Sequence, residues 1–229
     1  MSKIEQHTID KLFRDLSRVY STSVTSMIGL DSVKSAIEEL VCNDSDLATE
    51  IRKLSDAVKN TQPRMFPLDN LMLILDKEIQ TLNNEKQLTK GSIDKILNTF
   101  RIRLKSDLDA LVDHGAGWIK NDDFIVIHSI EENIEHLIPE AKKKGLEFKI
   151  LVLRQDILTT GGILNILNKN KIEYEVIPEY DLVHYIDKIS KLFIGTQSLT
   201  NDKYLICDPG TSNIVSECHI HNIPIYLFL

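Results

Sequence analysis

Residues 187–229, DKISKLFIGTQSLTNDKYLICDPGTSNIVSECHIHNIPIYLFL, decide the fold. Residues 191–195 are short and apolar, Pro209, Gly210 and Thr211 spell a turn, and residues 223–229 are almost wholly apolar. Between turn and final run, Ile214, Val215 and Cys218 recur at helical spacing, with Thr211 placed to cap the first turn. A strand, a crossover helix and a second buried strand make a βαβ unit, which requires a parallel sheet. Ligands of such sheets sit beyond the carboxyl ends of the strands. Two segments are therefore the candidates for a site, residues 195–198 and 208–211.

Working upstream, the same alternation continues. Residues 124–129, 148–153, 173–177 and 192–195 read as buried strands, and 131–144, 161–170 and 182–189 as the helices between them. With the last helix and strand this gives five strands in a doubly wound, Rossmann-like sheet. No G-x-G-x-x-G string follows the first strand, so NAD or FAD is not expected, and no cofactor is assigned.

The first hundred residues show only helical spacing. Ile9, Leu12, Phe13, Leu16 and Val19 form one stripe. Gly29 is expected to break the chain and Asp31 to cap the next helix, whose apolar face is Val33, Ala36, Ile37, Leu40 and Val41. A third helix covers residues 45–59, Pro63 and Pro67 bracket a loop, and a fourth covers 68–82. Gly91 and Ser92 open the longest helix, which ends near Gly115 and Gly117. The fold class is α/β: an N-terminal helical domain (1–105) followed by a Rossmann-like domain (106–229) with a mainly parallel sheet.

Composition narrows the function. The 229 residues carry a net charge of −7, which argues against direct nucleic-acid binding. The apolar runs are too short to span a bilayer, and residues 1–20 lack the apolar centre of a signal peptide, so a cytoplasmic protein is expected. The three cysteines, Cys42, Cys207 and Cys218, read as reduced thiols. Cys218, His219 and His221 match no zinc spacing, and no metal is expected.

Three strings carry a resemblance: GWIKNDDFIVIHS at 117–129, KLFIGTQ at 191–197, and Gly210–Thr211 followed by IPIY at 223–226. In order and spacing they resemble the family of the regulatory subunits (alpha, beta, delta) of eukaryotic translation initiation factor 2B and their archaeal homologues. That family also contains the ribose-1,5-bisphosphate and methylthioribose-1-phosphate isomerases. The resemblance implies a helical domain before a Rossmann-like one, and self-association into a dimer or larger oligomer. It also implies a translation-initiation-factor partner and a pocket for a phosphorylated small molecule.

In the isomerase branch a cysteine and an aspartate move protons between two sugar carbons. By the resemblance these positions fall on Ser129 and Gln197. A serine without an adjacent base is too weakly acidic, and a carboxamide does not titrate. The phosphate-handling positions depart as well: CDPGT at 207–211 puts Asp208 where the family has a lysine, and Gln62 and Met27 stand where arginines are expected. Of the cationic positions only Arg154 remains. The resemblance thus implies an archaeal-type, non-catalytic binding protein whose pocket is lined by Ser129, Arg154, Gln197, Gly210 and Thr211, with no catalytic residue. The alternative is a sugar-phosphate isomerase using altered residues.

His128 and Ser129 point to opposite faces of the strand, so they make no catalytic pair and mark a polar strand end. Glu131, Glu132 and Glu135 form a solvated helix face. Gly210 and Thr211 make a turn and a cap rather than an anion cradle, because Asp208 repels phosphate.

Overall fold

The computed structural model of the chain describes residues 3–17, 20, 22–62, 65–200 and 202–229. Two compact units result, Met1–Ser106 and Asp107–Leu229. Val19 and Pro63, both invoked by the sequence reading, lie outside the described residues.

The first unit is helical: α1 (Lys3–Ser17), α2 (Thr22–Glu39), α3 (Asp44–Lys59), α4 (Phe66–Asn84) and the start of α5 (Lys90–Ala116). Its core joins Phe13, Leu30, Ile37, Ile51, Leu68, Met72 and Leu97. Two expectations fail here. The helix α2 runs unbroken through Gly29 and Asp31, so Gly29 ends nothing and Asp31 caps nothing. Gly29 instead lets two elements touch, since a Cβ there would lie 2.5 Å from Leu68 Cδ2. Close packing outweighs the roughly 1 kcal/mol that glycine costs inside a helix. Pro67 belongs to the first turn of α4 rather than to a loop, where its missing N–H leaves no bond unmade. The start of α5 is a reciprocal cap: Ser92 N donates to Thr89 Oγ1 at 3.0 Å, and Thr89 N to Ser92 Oγ at 2.9 Å.

The second unit runs β1 (Phe124–His128), α6 (Glu132–Lys143), β2 (Lys149–Arg154), α7 (Ile157–Lys169), β3 (Glu173–Pro178) and β4 (Lys191–Gly195). It continues with β5 (Ser198–Leu199), β6 (Leu205–Ile206), α8 (Thr211–Ile220) and β7 (Ile225–Phe228). The expected helix at 182–189 is two 3₁₀ turns, Glu179–His184 and Ile186–Lys188. Strands β5 and β6 form a small antiparallel hairpin that two-residue strands gave no periodicity to detect. The helix α7 begins four residues before its expected start because Asp156 caps it, accepting from Leu158 N and Thr159 N.

The main sheet has the order β3-β2-β1-β4-β7, every pair parallel. Each face has its own core. Ile125, Ile127, Ile150, Val152 and Phe193 pack with Ile134, Leu137 and Ile163 of α6 and α7. Val126, Leu151, Leu192 and Ile194 pack with Leu182, Ile214 and Cys218 of the first 3₁₀ turn and α8. Burial on both faces explains why the strands read as continuous apolar runs rather than alternating ones. By the same alternation, residue 128 shares the face of residue 126, towards α8 and the 3₁₀ turn. The strand order reverses between β1 and β4, so the crevice beyond His128 and Gly195 is the switch point of the sheet. Among the described residues no helix is long and apolar enough to cross a membrane.

Candidate functional site

Past His128 the chain leaves β1 through Ser129, which adopts φ 51° and is fully buried. This turn folds back over the end of β4: Gly195 N donates to Ser129 O at 2.9 Å. A Cβ on Gly195 would stand 2.5 Å from that oxygen and 2.9 Å from Glu131 N, so only glycine admits the approach. Opposite, Gly210 takes φ 92° and serves as the N-cap residue of α8, displacing Thr211 from the capping role the sequence suggested. The carboxylate of Glu179 lies against Gly210, where a Cβ would meet Glu179 Oε2 at 2.5 Å.

Two hydrogen-bond systems fill the space these glycines open. In the first, buried His128 places Nε2 2.8 Å from Glu179 Oε1 and Nδ1 3.1 Å from Thr211 Oγ1. Because a carboxylate only accepts, Nε2 carries the proton towards Glu179. The Thr211 hydroxyl gives its one proton to Asp208 O at 2.7 Å, the shorter of its two contacts. The sequence Glu–His–Thr has the order of a charge-aligned nucleophile, but the Thr211 side is buried and its hydroxyl struts α8 to β1. His128 is therefore more than the polar strand end expected of it.

In the second system Asp208 is the hub. Its N–H donates to Ser129 Oγ at 3.0 Å. Its carboxylate receives Gln155 Nε2 at 2.9 Å on Oδ2 and Gln197 Nε2 at 3.2 Å on Oδ1. Gln155 is held in turn by its own N–H to Thr160 Oγ1 at 3.1 Å, while its Oε1 is buried without a partner. The ends of β1, β2 and β4 and the start of α8 thus converge on one carboxylate.

Of the five residues expected to line a pocket, Ser129, Gln197, Gly210 and Thr211 come together around Asp208 and Glu179. Arg154 does not join them; it ends β2 exposed. His128, Gln155 and Glu179 were not foreseen as site residues. Gln155 and His128 adjoin residues the motifs singled out, whereas Glu179 carries no local signal.

The surroundings are acidic. Glu131 is 7% exposed, not part of a solvated face. Burial raises the Glu135 carboxyl above the usual glutamate range, with Glu132 adding to the rise and His136 opposing it. Burial likewise raises the Cys207 thiol, with Asp208 and Glu131 adding, and pushes Cys218 up to about 11. All three cysteines are free. Among the described residues no group of three or more His, Cys, Asp or Glu is placed to hold a metal ion. A groove of about 570 Å³ borders the hub, walled by Leu205, Val215, Ile225 and Leu227 with Asp208 and Thr211 at one end.

The Initiation factor 2 subunit family matches residues 20–228. The chain belongs to that family. A translation initiation factor eIF-2B subunit 2-like protein of Pyrococcus horikoshii is 25% identical over 211 residues, 92% of this chain and 72% of its own length. Among solved structures, the translation initiation factor eIF-2B of Pyrococcus horikoshii OT3 superposes with TM-score 0.81 at 23% identity, over 95% of this chain and 76% of that one. The tetrameric eIF2B-beta2-delta2 complex from C. thermophilum matches with TM-score 0.78 at 14% identity, over 92% and 71%. A 5-methylthioribose 1-phosphate isomerase from Pyrococcus horikoshii OT3 matches with TM-score 0.69 at 10% identity, over 97% and 66%. At these identities the structural matches show the shared fold alone, and they span both the initiation-factor and the isomerase branches.

Proposed function

We propose that the protein is a non-catalytic, regulatory-subunit-like member of this family, acting in the cytoplasm, which self-associates and docks a translation-initiation-factor partner. One observation carries the reading. The residues at the two proton-transfer positions are both engaged with Asp208: Ser129 Oγ accepts its N–H and Gln197 Nε2 donates to its carboxylate. Aldose–ketose isomerisation needs a group that gives and a group that takes a proton near neutral pH, and a carboxamide does neither.

Support for docking comes from the neighbouring loops. Arg154 and Pro178 are register partners, so the β2–α7 and β3–3₁₀ connections emerge side by side. The starts of α7 and of the 3₁₀ turn that follow them expose Ile157 (90%), Leu158 (64%), Tyr180 (79%) and Val183 (54%). Large apolar side chains clustered on one end of a sheet mark protein contacts more than solvent surface. A beta2-delta2 tetramer among the structural relatives agrees with an assembling subunit. Ser129, Gln155, Gln197, Gly210 and Thr211 carry no positive charge, which weighs against the isomerase alternative and against a phosphorylated small molecule in this crevice.

Two measurements test this. Light scattering on the purified chain should give a dimer or larger, and Ile157→Glu with Tyr180→Glu should shift it to monomer. Metal-free protein incubated with ribose-1,5-bisphosphate should produce no ketose above the uncatalysed rate. Turnover at an enzyme-like rate would end the non-catalytic reading, and a wild-type monomer would end the assembling one.

A further inference from the structure

The crevice at the switch point holds an anion of its own. We infer that it is an oxyanion site whose occupant is the tethered carboxylate of Asp208, and that this residue excludes phosphorylated ligands from it.

The geometry of the clamp is that of a ligand site rather than of a loop bond. The two carboxamides come from the ends of different strands, Gln155 after β2 and Gln197 after β4, and each gives one N–H to a different oxygen of the same carboxylate. Gln155 does so with its own Oε1 buried and without a partner. The amide is therefore turned for the sake of the anion, since the opposite orientation would bring Oε1 against Asp208. The residue that delivers the carboxylate is fixed at both main-chain groups, N–H to Ser129 Oγ and C=O from Thr211 Oγ1. Gly210, in the left-handed region at φ 92°, turns the chain immediately after it into α8. Beyond the sheet ends of an open parallel fold this is where a ligand's anionic group lies, and here the group is covalently attached.

The consequence is a selection by charge. A phosphate entering the crevice would meet Asp208, and it would find Glu131 buried at the same end and Glu179 against Gly210. Nothing at positions 129, 155, 197 or 208 offers a balancing cation. Like charges brought together with little solvent between them repel strongly. Neutral hydrogen-bond donors that suit a carboxylate also suit other small oxyanions once the resident one is removed.

The inference concerns the same crevice as the proposed function but is tested separately. In Asp208→Gly the two carboxamides lose their anion, and the space of a carboxymethyl group opens. Formate, followed by thermal melting, is expected to stabilise this variant saturably, with an apparent dissociation constant about tenfold or more below that for wild type. Formamide, its neutral counterpart, should leave the melting temperature where it was. A folded Asp208→Gly that melts at the same temperature with and without formate overturns the site. Asp208→Asn keeps the volume and loses the charge, and serves where the glycine variant does not fold. Inorganic phosphate, followed by phosphorus NMR line width, should bind it about tenfold or more tighter than wild type. Equal binding to both overturns the exclusion. A monomeric wild-type chain together with a formate-dependent Asp208→Gly would sink the proposed assembly and leave this inference standing.

Discussion

Strands β1 and β4 lie side by side, and a carboxylate stands at each end of the pair. At the amino end Asp123, just before β1, meets the Nζ of Lys191, the first residue of β4, at 2.6 Å, with side-chain exposures of 11% and 8%. The remaining polar groups there are matched: Lys191 Nζ donates to Trp118 O at 2.8 Å and Lys120 N to Asp123 Oδ2 at 2.6 Å. At the carboxyl end Asp208 has two carboxamides and no cation. One end neutralises charge with charge; the other holds charge with dipoles. A buried ion pair is tightly constrained, because removing either member strands the other. A carboxylate held by neutral donors leaves its donors ready for another acceptor. The amino end is built to hold the fold together, and the carboxyl end is, on our proposal, a site whose occupant is its own side chain.

Lys191→Met leaves Asp123 buried and unpaired and is expected to lower the unfolding free energy by about 3–5 kcal/mol, read from the denaturant midpoint at unchanged slope. A loss below about 1 kcal/mol, the level of an exposed pair, would erase the distinction between the ends. Gly210→Ala comes next. It forces a β-carbon into φ 92° and towards Glu179, whose carboxylate is bonded to His128. A cost of about 1–3 kcal/mol is expected, together with a shifted His128 ring resonance by NMR. An unchanged resonance would show that Glu179 and α8 are not coupled as described.

The smallest effect belongs to Asp156, an exposed carboxylate at the same end. Donation from the Thr159 hydroxyl, and then from the Thr159 and Leu158 N–H groups, holds its carboxyl below the ordinary aspartate range. Its folded value is depressed, so this cap stabilises above the unfolded aspartate value and is lost as pH falls through the folded one. Asp156→Ala should cost about 1 kcal/mol near neutrality. The gap between variant and wild type should close progressively in acid. A pH-independent gap would assign the loss to something other than the cap.

Much of this architecture is legible without coordinates. The central strands β1, β2 and β4 stand out because each is covered on both faces, so its residues are apolar in succession, while the edge strands β3 and β7 are partly exposed. Helices α3 and α5 follow their apolar spacing nearly to their ends. Where the reading failed, a tertiary contact overrode a local rule. Glycine is a poor helix former, which suggests a break at Gly29, yet Leu68, thirty-nine positions on, packs where its side chain would be. Threonine caps well, which suggests Thr211 as the cap, yet its hydroxyl lies against Asp208 O and His128 Nδ1 while Gly210 takes the cap position. Charge alone assigns Glu131 and Glu135 to solvent, yet Glu131 is buried against Gly195 and Glu135 is half-buried beside Gly162 of α7.

The sequence by itself determined the layers: helical periodicity first, then alternating strands and helices, and with them the parallel sheet and its carboxyl-end crevice. Those signals lie within a few residues of one another, because side-chain spacing along a helix or strand is a local property. It also marked residues 129, 154, 197, 210 and 211 as belonging together, of which Arg154 stays exposed at the end of β2. What binds them was decided only in three dimensions. Ser129 reaches Asp208 across 79 positions, Gln155 reaches it across 53, and His128 reaches Glu179 across 51 and Thr211 across 83. A hydrogen bond demands about 3 Å and a direction, and no spacing within the chain fixes either until the sheet brings its strand ends side by side.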